Sequence, residues 1–144
     1  MNILIYMSLT LVTGFIDLNK YEKRPPYQIK KNFLKWAEFV FGLDINIVFF
    51  FFLDMTEHVI ERRKHFGNEN KTVVITTSLE ELPWNGQNPD IGSYLKSHKI
   101  INGSYKDSSK YVEITWNKLY MVEKAMTSNP FNSEYFGWID FGLY

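Results

Sequence analysis

Apolar residues in this chain fall into two patterns: short runs that are apolar at nearly every position, and longer stretches where they recur every three or four residues. The first run, 9–15, reads Leu9-Thr10-Leu11-Val12-Thr13-Gly14-Phe15. It is rich in β-propensity and stops near a glycine, the pattern of a strand entering a loop. The loop carries Asp17, Asn19 and the punctuation Lys23-Arg24-Pro25-Pro26. Next, Ile29, Phe33, Trp36 and Val40 recur at helical spacing, and Gly42 supplies a stop. The segment 45–53 is apolar without alternation, which suits a strand buried on both faces of a parallel sheet.

Asp54, with Glu57 three positions on, predicts the amino-terminal cap of a helix running to about His65, closed by Gly67, Asn68 and Asn70. A third strand is predicted over 72–77, β-branched almost throughout. Ser78 and Glu81 then make a capping-box pattern for one short turn before Pro83. The stretch 84–110 is the least regular, with a short helix expected over 94–101. Val112, Thr115, Trp116, Leu119, Val122 and Met126 predict one apolar stripe of a helix ended by Asn129-Pro130, followed by a last buried strand over 135–141. Strands and helices in this order predict a mostly parallel, Rossmann-like α/β sheet with flanking helices. At 144 residues it is expected to be a single α/β domain, 1–144.

Composition narrows the function classes. Sixteen basic and sixteen acidic residues give no net charge, so no field favours nucleic acid. Cysteine is absent, which removes disulfides, a thiolate nucleophile and Cys-ligated zinc, and fits a cytoplasmic location. No apolar run reaches the roughly twenty residues of a spanning helix, so no membrane span is expected.

In open α/β sheets, ligands bind outside the carboxyl ends of the strands. Thr13, Gly14 and Asp17 fall there after the first strand, and Asp140 after the last. Asp140 follows Phe136-Gly137-Trp138-Ile139, so its charge needs water, a metal or a cation, or else it caps a turn at Phe141-Gly142. Lys118 borders the apolar stripe of its helix, where its ammonium either meets a phosphate or snorkels to solvent. Asn117 falls on the far face of that helix. His58, Glu61 and His65 share a face, but are read as solvated helix residues, and Arg62-Arg63-Lys64 as a solvated helix end. Asn70-Lys71-Thr72 and Asn102-Gly103-Ser104 are sequons without a secretion signal. Asp140-Phe141-Gly142 lacks the other kinase motifs, and no nucleophile elbow supports a serine hydrolase.

Thr10-Leu11-Val12-Thr13-Gly14-Phe15-Ile16-Asp17, Asn129-Pro130-Phe131 and Trp138-Ile139-Asp140-Phe141-Gly142, in this order and spacing, resemble the HtrL/YibB-like family, itself linked by fold resemblance to glycosyltransferases of the GT-A type. The resemblance implies a donor site for a nucleotide-sugar. Thr13, Gly14 and Asp17 would contact the nucleotide, Asp140 would hold Mg²⁺ or Mn²⁺ on the diphosphate, and Lys118 would offset its charge. Gly142 stands where the second acid of the Asp-x-Asp metal motif would be, which leaves half of the usual set. The acceptor site and catalytic base of such enzymes lie beyond this motif, so the resemblance implies an incomplete domain whose open sheet edge invites self-association or a partner chain. A non-catalytic α/β binding module is the alternative that these residues leave open.

Overall fold

A computed structural model of the chain describes residues 8–27, 30–51, 55–84, 97 and 108–141. The expected cap at Asp54, nearly all of the expected helix over 94–101, His98, the sequon at Asn102 and Gly142 lie outside these residues.

Strands β1 (Leu9–Phe15), β2 (Asn46–Phe51), β3 (Thr72–Thr76) and β4 (Tyr135–Trp138) form one sheet in the order β3-β2-β1-β4. Every pair is parallel, with Val12 opposite Val48 on one side and Trp138 on the other. The fold is therefore the Rossmann-like α/β class that the alternating pattern predicts. Among the described residues the α-helices are α1 (Lys30–Trp36), α2 (Glu38–Gly42), α3 (Thr56–His65) and α4 (Ser109–Ser128).

The two-residue period of the strands divides the core. Phe15, Ile47, Phe49 and Phe51 point to one face, where they pack with Phe41, Met55, Val59 and Phe141. Val12, Ile16, Val48 and Phe50 point to the other, against Leu79, Leu82, Met121 and Ala125. Residues 47–51 are all buried, which is why that run shows no polar alternation. The turn at Leu79–Glu81 begins as its capping pattern requires, with the Ser78 amide donating to Glu81 Oε2 at 2.8 Å. Asn129 ends α4 in the left-handed conformation (φ 33°), its amide donating to the Ala125 carbonyl.

Four expectations need correction. Ile29 lies outside the described residues, and the rest of that helical stripe, Phe33, Trp36 and Val40, is not on one helix, because the chain breaks at Ala37 into α1 and α2. The last strand is four residues long, half-buried, and at an edge of the sheet. The buried face of α4 reads Glu113, Asn117, Met121 and Ala125, leaving Leu119 80% and Met126 53% exposed. At about 100° per residue, that face lies nearly opposite the apolar stripe. Asn117 therefore faces inward, its Nδ2 donating to the Glu113 carbonyl at 2.8 Å while its Oδ1 has no partner among the described residues.

The fourth concerns the basic run. Arg63 is fully buried rather than solvated. Its guanidinium donates to the carbonyls of Phe41, Leu43, Ile45 and Lys71 and to Thr72 Oγ1, at 2.6–3.2 Å. These bonds tie the end of α2, the entry to β2 and the entry to β3 to one side chain. Burial pulls its pKa down to about 10, so it remains charged at neutral pH. On the same helix His58 is half-buried with its ring 6.0 Å from Phe41, so it too is more than a solvated residue, whereas Glu61 and His65 are exposed.

Candidate functional site

The order β3-β2-β1-β4 reverses direction at β1, so the crevice between the carboxyl ends of β1 and β4 is the topological switch point where such sheets receive ligands. The chain leaving β1 crosses this crevice as a 3₁₀ turn, Leu18–Lys20. Asp17 caps that turn, its Oδ1 accepting from the Asn19 amide at 3.1 Å and from Asn19 Nδ2 at 2.9 Å. Further on, Arg24 Nη1 pairs with Glu22 Oε1 at 2.7 Å, and the Ser108 hydroxyl donates to the same oxygen at 2.8 Å. Ser108 is also the amino-terminal cap of α4, accepting from the Tyr111 amide. The loop after β1 is thereby fastened to the start of the long helix.

Between them lies a cavity of about 240 Å³. Gly14, Phe33, Arg24, Tyr111, Lys118 and Asp140 are on its wall, together with neighbouring apolar residues. The Arg24 side chain is only 6% exposed, and its guanidinium sits 5.8 Å from the Tyr111 ring centre. Lys118 Nζ donates to Asp140 Oδ1 at 2.6 Å and lies 5.4 Å from the Trp138 ring centre, while Trp138 Nε1 donates to the same oxygen at 2.8 Å. Burial raises the pKa of Asp140, but the Lys118 and Trp138 hydrogen bonds and the lysine charge outweigh it and hold the carboxyl below its usual value.

Of the residues singled out from the sequence, Gly14, Lys118 and Asp140 converge on this cavity. Thr13 is fully buried, its Oγ1 without a partner among the described residues, and it and Asp17 are off the cavity wall. Gly14 is there for packing as well as access: a Cβ would stand 3.0 Å from Met121 Sδ and 3.1 Å from the Phe50 carbonyl oxygen. Arg24, Phe33 and Tyr111 are wall residues that the sequence did not single out as site residues. The Pro-Pro punctuation marked a loop at Arg24, but no local signal joins it to Ser108, 84 positions away.

Asp140 is the one acid on the described cavity wall. Asp140 Oδ1 already accepts from an ammonium and an indole, and an ammonium at 2.6 Å repels a second cation at that oxygen. Asp17, at the start of the first loop, uses its Oδ1 on the turn that it caps. Among the described residues no group of three His, Asp or Glu converges. None of their helices is long and apolar enough to cross a membrane.

Comparison with curated proteins and with solved structures finds no match. A family model does match, over residues 7–144, and its description is a bacterial protein of unknown function, HtrL_YibB. With nearly the whole length covered, the chain belongs to the HtrL/YibB family.

Proposed function

We propose that the switch-point cavity binds the nucleotide diphosphate of a nucleotide-sugar, and that the chain is a glycosyltransferase-like protein. The observation that carries this reading is the pairing of chemistries on one wall. Lys118 and Arg24 supply positive charge beside the carboxyl end of β1, and Tyr111 and Phe33 supply flat apolar surface for a base or sugar. The cavity, about 240 Å³, is slightly below the usual 300–1,000 Å³ of ligand pockets, so it suits part of such a molecule with the remainder outside. In transfer, the bond from the anomeric carbon to the diphosphate oxygen breaks and the electron pair stays on the diphosphate. The acceptor oxygen bonds to that carbon and its proton passes to solvent water. Lys118 is placed to offset the charge gathering on the diphosphate.

Thermal unfolding of the chain with a panel of nucleoside diphosphates and nucleotide-sugars tests the reading. A ligand at about a hundred times its Kd stabilises the fold by about 2.7 kcal/mol. A shift for one nucleotide series, reduced in Lys118→Gln, is the expected result. A folded chain that responds to none of the panel would contradict it.

A further inference from the structure

Resting on that reading, we infer that the diphosphate site works without a divalent metal, with the Lys118 ammonium as its cation and Asp140 as the carboxylate that the diphosphate displaces from it. Lys118 and Trp138 Nε1 both donate to Asp140 Oδ1, at 2.6 and 2.8 Å, so the carboxylate already holds a cation of the protein itself, whose charge repels a metal at the same group. The Trp138 ring 5.4 Å from Nζ restricts the ammonium on a second side. Lys118 is half-buried on the cavity wall, and its carboxylate partner is more exposed than it is. A diphosphate entering from the open side can therefore exchange with Asp140 for the ammonium. Asp140 competes with the anion, whereas as a metal ligand it would assist it.

The two roles of Asp140 give opposite signs. Binding of uridine, guanosine and adenosine diphosphates to the 144-residue chain is measured by calorimetry, in EDTA and in Mn²⁺. Water-proton relaxation is used to count Mn²⁺ held by the protein alone. The expected result is that the nucleotide bound best has the same Kd, within about threefold, in both media, with no Mn²⁺ held by the protein. Lys118→Gln weakens binding at least tenfold, about 1.4 kcal/mol. Asp140→Asn tightens it severalfold, because the ammonium loses its competitor. Lys118→Arg retains more affinity than Lys118→Gln. Binding that requires Mn²⁺ and is lost in Asp140→Asn overturns the inference but leaves the proposed function standing. Absence of binding in both media, from a chain shown to be folded by its circular dichroism, removes the proposed function and the inference together.

Discussion

Replacing Arg63 by alanine should be among the most damaging single changes in this protein, although no part of the side chain reaches the cavity. Its guanidinium makes five hydrogen bonds, four to backbone carbonyls and one to the Thr72 hydroxyl. Two of these acceptors keep other partners. The Leu43 carbonyl also accepts from the Ile45 amide and Asn68 Nδ2, and the Thr72 hydroxyl donates to the Asn68 carbonyl. The loss therefore falls chiefly on the carbonyls of Phe41, Ile45 and Lys71. A buried acceptor stripped of its donor costs about 1–3 kcal/mol. With water reaching part of the vacated space, the sum is about 3–5 kcal/mol, a large share of the roughly 5–15 kcal/mol that stabilises a domain. At about 3–4 °C per kcal/mol for a chain of this size, Tm should fall by roughly 10–20 °C. Arg63→Lys should recover less than half of this, because one ammonium cannot span carbonyls from α2 to β3. Urea titration followed by circular dichroism gives the stabilities and differential scanning calorimetry the Tm values. An Arg63→Ala protein melting within about 3 °C of wild type would refute the reasoning.

Three further outcomes are expected. Gly14→Ala places a methyl against Met121 Sδ and the Phe50 carbonyl and should destabilise by about 1–3 kcal/mol, read as a lower urea midpoint; an unchanged midpoint would mean that α4 can shift freely. Thr10 Oγ1 and Ser133 Oγ form a buried hydroxyl pair at 2.7 Å, so Thr10→Val should cost about 1–2 kcal/mol and Thr10→Val with Ser133→Ala less, in the same titration; additive losses would sink that reading. The Asp140 carboxyl is lowered in the folded chain, so its contribution to stability is present above the unfolded value near 4 and fades as pH falls through the folded value. Because the pair is well exposed, the contribution should stay below about 1 kcal/mol, and wild type and Asp140→Asn should converge in Tm in acid; a difference that grows on acidification would contradict the assignment.

How far the sequence disclosed all this depended on whether a signal was local. β2 was legible because a strand covered on both faces is apolar at nearly every position, β1 because its β-prone run stops near Gly14, and the turn at Leu79–Glu81 because its cap needs only Ser78 and Glu81. The end of α4 was legible from Asn129-Pro130 for the same reason. The buried face of α4 was not. Trp116, Leu119 and Met126 suggest a core stripe, yet they are 39%, 80% and 53% exposed, and Trp116 packs edge-on against Trp84, at 6.1 Å between ring centres. The polar pair Glu113 and Asn117 lies inward instead, bonded within its own helix turn. Arg63 was hidden because its partners are eight to twenty-two positions away, and nothing in Arg62-Arg63-Lys64 marks the middle residue as different. Within the site, Lys118 and Asp140 were each suspected separately. Their contact across 22 residues, with Trp138 completing it, depends on how α4 lies on β4 and is a property of the fold alone.

The central claim, that a diphosphate enters the cavity beside Lys118, is tested most directly by the indole N–H signals of the four tryptophans during a nucleoside diphosphate titration. Trp138 Nε1 donates to the oxygen that also holds Lys118, so drawing Lys118 away must change its hydrogen bond. Trp84 and Trp116 pack on each other on the outer side of α4 and act as internal references. The account predicts a saturable shift of the Trp138 indole, absent in Lys118→Gln, with the references still. Binding that moves Trp84 and Trp116 and leaves Trp138 unchanged would place the ligand elsewhere and contradict the account.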